Sequence, residues 1–207
     1  LFGEHVQDRS ALEDEIGRLS KTFEMMANSL KQYFNHFHSL AYTDALTNLN
    51  NKAAFTMTKE VIESEVEMGR ASFAIIIMDV NNLKHMNDFC GHEAGDKLIK
   101  KAAESLKRIE KRNVMPFRVG GDEFIVVAIH VTRQEAEQIR RDWEDGLKAL
   151  NQADDGIECV IACGFAFGEK GYDLEELLAK ADQLMYEDKK ARKAVRAARC
   201  AEAAGKC

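Results

Sequence analysis

One apolar run constrains the fold of this 207-residue chain more than any other segment, the stretch from Phe73 to Met78 with the sequence FAIIIM. Because the run has no polar alternation, it is typical of a strand that is buried on both faces, and such a strand predicts a sheet with helices packed against it. Asp79 follows directly, and a carboxylate at the end of a central strand is costly unless it binds a cation or hydrogen-bond donors. The alternative is that Asp79 caps a helix that starts near Asn82.

Strands and helices alternate from about Tyr42 onward. Hydrophobic periodicity and turn residues predict helices at 51–68, 93–110 and 133–150, strands at 114–118, 123–130 and 157–167, and a last helix from Asp173 into a basic tail. The only proline, Pro116, suits an edge strand or an irregular position. A hydrophobic content of 45% is sufficient for a buried core.

The first forty residues carry apolar side chains at alternating spacings of four and three: Leu12, Ile16, Leu19, Phe23, Met26, Leu30, Tyr33, Phe37 and Leu40. This heptad pattern predicts a coiled coil with a partner helix, and hence a homodimer through residues 12–40. The alternative is a single amphipathic helix that packs on its own domain. We therefore expect a signalling helix at 1–41 and a globular domain at 42–207.

Charge and cysteine usage exclude several classes of function. The net charge of -6 argues against nucleic-acid binding, although metal ions can neutralise a nucleotide triphosphate locally. No apolar run is long enough to span a bilayer, and the start of the chain has no signal-peptide pattern. The five cysteines form no CxxC pair, so we expect reduced thiols rather than a zinc site or a disulfide.

A glycine pair precedes two adjacent carboxylates between the strands predicted at 114–118 and 123–130. Gly120 and Gly121 permit positive φ angles and the close approach of a ligand to the backbone. Asp122 and Glu123 repel each other, and a pair of hard divalent cations would relieve that repulsion. The alternative is an ordinary hairpin in which Glu123 is a solvated strand residue.

Four motifs together resemble the GGDEF diguanylate cyclases. The string DVNNLKHMND at 79–88, with Gly91-His92 and Gly95-Asp96, resembles that family's nucleotide-binding segment, and the glycine-acid string GGDEF stands at 120–124. Asp44-Ala45-Leu46-Thr47 is similar to the opening motif of the family, and Ala181-Asp182 with Tyr186 and Lys189 to its closing motif. The resemblance covers about 42–195. It implies an α/β (α+β), palm-like domain with a central, mostly antiparallel sheet that helices flank, here after an N-terminal coiled-coil helix.

The resemblance also implies a reaction and a role for each matched residue. Two GTP molecules would condense into cyclic di-GMP and two pyrophosphates, with two Mg²⁺ ions in each active site, for which Mn²⁺ can substitute. The implied metal ligands are Asp79, the carbonyl of Val80, Asp122 and Glu123, and the implied catalytic residues are Asp122, Glu123 and Lys84. The expected substrate-binding residues are Asn87 and Asp96 at guanine, Lys189 and Lys193 at the terminal phosphates, and Arg118.

The guanine assignment agrees with elementary chemistry. The Asp96 carboxylate can accept hydrogen bonds from guanine N1–H and its exocyclic amine, whereas adenine would leave that charge unpaired. Taken without the motifs, Lys84 would be a solvated helix residue, and the basic run at 189–199 would be an exposed helix face.

Several positions depart from the commonest form of the family. Asn81 replaces a frequent aspartate, and Leu83 replaces a frequent phenylalanine. Asn48 replaces a common glycine, and Lys52 replaces a common arginine. Lys193 also replaces an arginine, and a lysine cannot bind a phosphate with two parallel hydrogen bonds as arginine does. Many members carry Arg-x-x-Asp upstream of the glycine pair as an inhibitory product site. The corresponding stretch runs from Lys111 to Val114 and has valine at the aspartate position, so we expect no inhibitory product site.

Asp14-Glu15-Ile16-Gly17 and the residues through Leu30 resemble the second helix of a HAMP signalling module. This resemblance implies that the chain is the cytoplasmic part of a membrane-anchored bacterial receptor with a transmembrane sensor upstream. Two rival functions remain at this point. The chain could be a non-catalytic module that binds GTP for regulation, or mainly a dimerisation element of a sensor.

Overall fold

The computed structural model of the protein describes residues 2–68, 72–152, 156–169 and 172–204, with the side chains of 2–14, 35 and 196–204 left out of the description. The chain divides into two compact units, Leu1–Ala41 and Tyr42–Cys207. Nearly all of the first unit is the helix α1, Phe2–Tyr42.

Helix α1 runs for 41 residues without a break and carries the predicted heptad along its length. The heptad side chains from Ile16 to Leu40 are between 59% and 75% exposed. The side chain of Leu12 lies outside the described part. In the residues that the structure describes, no helix is both long enough and apolar enough to cross a bilayer.

The second unit is built on a four-stranded sheet with strand order β2-β3-β1-β4, in which every pairing between strands is antiparallel. Its elements are α2 Lys52–Glu67, β1 Phe73–Val80, α3 Leu83–Cys90, α4 His92–Lys107, β2 Val114–Arg118, β3 Glu123–Ile129, α5 Arg133–Gln152, β4 Ile161–Gly168 and α6 Leu174–Ala204. The predicted antiparallel sheet with flanking helices is confirmed. Pro116 lies in β2, an edge strand, beyond which the described sheet has no further strand to pair with an N–H.

Side chains on the two faces of β1 belong to different cores, as its apolar run predicts. Ala74, Ile76 and Met78 pack with α4 and α5 in one cluster. Phe73 and Ile75 pack with residues of α2 and α6 in the other. The central strand is therefore fixed from both sides, and the position of its carboxyl end is fixed with it.

Strand β4 begins at Ile161, four residues later than predicted. The side chain of Asn151 explains part of this difference, because it accepts from the Cys159 N–H at 2.9 Å and donates to the Cys159 carbonyl at 2.8 Å. These bonds occupy backbone groups that a neighbouring strand would otherwise pair. Helix α4 also ends at Lys107 rather than at 110, and α3 is a separate short helix before it.

Cys90, Cys159 and Cys163 are free thiols, in agreement with the predicted reduced state. The side chains of Cys200 and Cys207 lie outside the described part of the chain. Burial, together with the nearby Asp188 carboxylate, raises the pKa of Cys163 to about 11, so this thiol stays neutral.

Candidate functional site

The candidate site is an open cleft at the carboxyl end of β1, beside the turn between β2 and β3. The register pairs Asp79 with Glu123, and the Val80 N–H donates to the Asp122 carbonyl at 2.9 Å. The cleft has a volume of about 410 Å³, which is in the usual range for small-molecule sites. Its lining comprises Asp79, Val80, Asn81, Asn82, Leu83, Lys84, His85, Asp88, Asp122, Lys189 and Lys193.

Asp79 is the most buried acid in the cleft, with 6% of its surface exposed. Its Oδ2 accepts from the Lys189 ammonium at 2.6 Å, while its buried Oδ1 has no hydrogen-bond partner among the residues that the structure describes. A buried carboxylate oxygen without a partner is costly, so this atom suits a bound cation. The alternative role as a helix cap is wrong, because the N-cap position of α3 is Asn82, which lies in the left-handed region with φ 66° and makes no capping bond with its side chain.

The fit to a divalent cation rests on oxygen atoms. The Asp79 and Asp122 side chains and the Val80 backbone supply the hard ligands that Mg²⁺ prefers, and all three residues line the cleft. Glu123 is exposed, lies against Gly120 and is outside the cleft lining. Within the described residues, no group of three or more His, Cys, Asp or Glu side chains is arranged to hold a metal. The site thus gathers two of the three carboxylates that the sequence predicts as ligands.

The glycine pair before Asp122 does not use the backbone freedom that the sequence suggested. Neither Gly120 nor Gly121 has a positive φ, although glycine permits one. At Gly120 the requirement is space, because a Cβ there would collide with the side chain of Glu123. The side chain that approaches the backbone closely at this turn is therefore Glu123, and not a ligand.

Arg118 is not in the cleft lining, which leaves its predicted substrate contact without support from the geometry. One guanidinium nitrogen lies 2.9 Å from Asp44 Oδ1, and the other donates to the Gly121 carbonyl at 2.8 Å. Burial alone would raise the pKa of Asp44, but hydrogen bonds from Thr47 and Arg118 and the Arg118 charge outweigh it and lower that pKa. Arg118 thus joins the DALT segment at 44–47 to the turn that contains Gly120 and Gly121, the glycine turn.

Three lysines form the cationic side of the cleft. Lys84 is exposed in the first turn of α3, and Lys189 and Lys193 lie one turn apart on α6. Only the tertiary fold brings Lys189 to Asp79, since the two residues are 110 positions apart in the chain. Lysines and carboxylates that line the same cleft suit an anion that binds together with a cation.

The two predicted guanine-binding residues lie outside the cleft lining, where α3 meets α4. The Asn87 side chain packs against Gly95, so closely that a Cβ on this glycine would collide with it. Asp96 follows Gly95 and is exposed in the first part of α4. Gly95 therefore lets the end of α3 approach the start of α4, and this contact places Asn87 close to Asp96 in the fold.

Sequence reasoning missed five residues of the cleft lining as site residues: Asn81, Asn82, Leu83, His85 and Asp88. Asn81 is 8% exposed, and its buried amide nitrogen has no hydrogen-bond partner in the described part of the chain. Helical spacing could have identified Asp88, which lies one turn after Lys84 on the same face of α3. No sequence signal marks the unpartnered amide of Asn81.

Comparison with known proteins identifies the second unit. The family model described as diguanylate cyclase, GGDEF domain, matches residues 41–194. The diguanylate cyclase VdcA of Vibrio cholerae is 31% identical over 166 residues, which are 77% of this chain and 48% of VdcA. The diguanylate cyclase DosC of Escherichia coli K12 is 32% identical over 149 residues, 69% of this chain and 32% of DosC. The chain spans about half, or less, of the length of such relatives.

Solved structures share the fold. The coiled coil and GGDEF domain of DgcB from Caulobacter crescentus, in complex with c-di-GMP, superposes with a TM-score of 0.71 at 22% identity, over 84% of this chain and 94% of that one. A sensory box/GGDEF family protein from the same species gives a TM-score of 0.59 at 30% identity, over 73% of this chain and 99% of that one. Because the family model matches most of its length, this chain belongs to the GGDEF family of diguanylate cyclase domains.

Proposed function

We propose that this chain is a diguanylate cyclase that condenses two GTP molecules into cyclic di-GMP. The observation that carries the proposal is the cleft, where one buried oxygen of Asp79 has no hydrogen-bond partner among the described residues. Asp122 and three lysines line the same cleft. Such a cleft suits a polyphosphate with its cations. Membership of the GGDEF family and the named activities of VdcA and DosC support the same reaction.

Asp79, the Val80 carbonyl, Asp122 and Glu123 would hold two Mg²⁺ ions, for which Mn²⁺ can substitute. When bound, the ions would neutralise phosphate charge and lower the pKa of the attacking hydroxyl. Glu123 would need a side-chain rotation away from Gly120 to join the other ligands. Glu123 is exposed, so this rotation meets little packing resistance.

The remaining site residues bind and orient the nucleotide. Lys189 and Lys193 would hold the terminal phosphates, and Lys84 would stabilise the charge that develops on the reacting phosphate. Asp122 would assist removal of the proton from the ribose 3′-hydroxyl, whose oxygen attacks the α-phosphorus of the other GTP. A phosphorus–oxygen bond forms as pyrophosphate leaves, and the second attack closes the ring.

Asn87 and Asp96 would bind guanine; the Asn87 side chain contacts Gly95 where α3 meets α4, and Asp96 is the next residue. The Asp96 carboxylate accepts from two guanine N–H groups, and adenine offers an acceptor where one of them stands. The exposed position of Asp96 leaves it free to meet an incoming base.

Each domain supplies one half-site, so two copies must face each other for the product to form. The exposed heptad of α1 supports a parallel homodimer through residues 12–40, because a coiled coil would cover side chains that are more than half exposed in one copy. Dimerisation would also raise the local concentration of one half-site near the other. A signal that changes the pairing of the helices would then control whether the two half-sites face each other.

We extend the proposal to regulation and location. Val114 is 1% exposed and packs in the core, so it supplies no polar group for product binding, which supports the expected lack of an inhibitory product site. The HAMP-like segment supports a place as the cytoplasmic output part of a longer, membrane-anchored receptor, and it stays a prediction. Fractionation of cells that express the whole gene would test the membrane anchor.

The direct test is to incubate the chain with GTP and Mg²⁺ and to resolve the products by chromatography. We expect cyclic di-GMP and two pyrophosphates, and a loss of about hundredfold or more in Asp79→Asn and Asp122→Asn. Asp145→Asn is the matched control, because this carboxylate is 76% exposed and pairs with Lys148 on its own helix. Binding of GTP without turnover would instead favour a regulatory module, and no binding would favour a dimerisation element.

A further inference from the structure

We infer that Asp188 is a positioning residue, which fixes α6 on the edge of β4 so that Lys189 and Lys193 face the cleft. The inference rests on the proposed function for what the two lysines bind. Asp188 itself does not line the cleft, and it acts through its bonds to the backbone of β4 and to Arg192.

The distance between α6 and β4 is set by Gly164. A Cβ on this glycine would collide with the Ala181 carbonyl and the Met185 N–H, so the backbones of the helix and the strand meet without a side chain between them. A contact between backbones limits how far apart the two elements lie. Because it is not directional, it leaves the rotation of the helix about its axis less defined.

Asp188 supplies the directional contact. Strand β4 is at the edge of the sheet, so no further strand of the described sheet can pair with its outward N–H groups. The Cys163 N–H donates to Asp188 Oδ2 at 3.0 Å, and Arg192 Nε donates to the same oxygen at 2.7 Å. One carboxylate oxygen thus ties the strand edge to two successive turns of α6.

The two bonds of Asp188 also fix the positions of Lys189 and Lys193. Lys189 follows Asp188, and its ammonium reaches Asp79 at 2.6 Å. Lys193 follows Arg192 and also lines the cleft. Residues four apart lie on the same face of a helix, so Lys189 and Lys193 point in nearly the same direction. A rotation of α6 about its axis would therefore turn both ammonium groups away from the cleft.

The test uses the full chain and three variants: Asp188→Ala removes the acceptor, Asp188→Asn keeps an oxygen for the Cys163 N–H, and Glu187→Ala is the matched control. Glu187 is an exposed acid on the same helix whose bond is to Gln183 on its own helix. The first measurement is hydrogen exchange at the Cys163 amide. We expect faster exchange in Asp188→Ala and protection close to wild type in the other two.

The second measurement is the affinity for 3′-deoxyGTP with Mg²⁺, an analogue that binds without the attacking hydroxyl. We expect Asp188→Ala to weaken binding by about fivefold, and Asp188→Asn and Glu187→Ala to stay within about twofold of wild type. If Asp188→Ala binds the analogue as tightly as wild type, or if Asp188→Asn is equally impaired, the positioning role is overturned while the proposed function stands. If the wild-type chain itself fails to bind the analogue, the proposed function fails, whatever the exchange at Cys163 shows.

Discussion

The ion pair between Asp44 and Arg118 offers a quantitative test of how the glycine turn is held. Three donors converge on Asp44 Oδ1: the Thr47 N–H at 2.9 Å, the Thr47 hydroxyl at 2.6 Å and Arg118 Nη1 at 2.9 Å. Replacing Asp44 with alanine removes the common acceptor. Thr47 is only 3% exposed and the Arg118 side chain 14%, so the donors would lose their partner where little water can replace it.

The magnitude follows from these contacts. All three hydrogen bonds are to an ionised carboxylate, and such a bond contributes about 2 kcal/mol when it is buried. The 24% exposure of the Asp44 side chain weakens each of them to about 1 kcal/mol. We expect Asp44→Ala to lower the free energy of unfolding by about 3 kcal/mol, which corresponds to a fall of about 6–12 °C in Tm. Asp44→Asn retains an oxygen acceptor and should lose only about 1 kcal/mol.

Urea and thermal unfolding of the wild type and the two variants at neutral pH would measure these differences. The pKa of Asp44 is lowered by folding, so its charge stabilises the native state above the unfolded value of 3.8. That contribution is lost as the pH falls through the lower pKa of the folded state. The gap between wild type and Asp44→Asn should therefore be constant near neutral pH and shrink below about pH 4.

Two outcomes would refute this reasoning. One is a loss of less than about 1 kcal/mol in Asp44→Ala, which would mean that water or other groups replace the carboxylate at little cost. The other is an equal loss in both variants, which would show that the acceptor geometry contributes nothing beyond the charge. Either result would leave Arg118 without its inferred role at the turn.

Three further predictions test other parts of the molecule. Replacing Leu19 and Leu30 with glutamate should shift the chain from dimer to monomer in analytical ultracentrifugation and lower specific activity at dilute enzyme, and an unchanged sedimentation profile would count against the coiled coil. Asp96→Asn should narrow the preference for GTP over ATP in a binding assay, by about tenfold or more, whereas an unaltered ratio would remove Asp96 from base recognition. Lys189→Gln should strengthen Mn²⁺ binding to the nucleotide-free protein in a titration followed by electron paramagnetic resonance, because the ammonium that now pairs with Asp79 is removed, and weaker Mn²⁺ binding would contradict this.

Sequence reasoning was most accurate where a pattern within a few residues decides the structure. The apolar run at 73–78 predicted a strand buried on both faces, and Pro116 predicted an edge or irregular position, of which the structure has the edge. Sequence reasoning was less accurate at the ends of helices and strands. One example is the start of β4, before which the side chain of Asn151 bonds to the backbone of Cys159. A side chain from a neighbouring helix leaves no signal in the local pattern.

The sequence by itself determined the order of helices and strands, the heptad of α1, and the acids and lysines available for chemistry, because periodicity and residue type are local properties. Only the tertiary structure decided which of these groups meet. Antiparallel pairing of β1 with β3 brings Asp79 beside the Asp122 turn, and the packing of α6 on β4 brings in Lys189 from 110 residues away. The same long-range packing assigns Arg118 to Asp44 rather than to the cleft, since partners far apart in the chain are selected by the three-dimensional arrangement of buried elements.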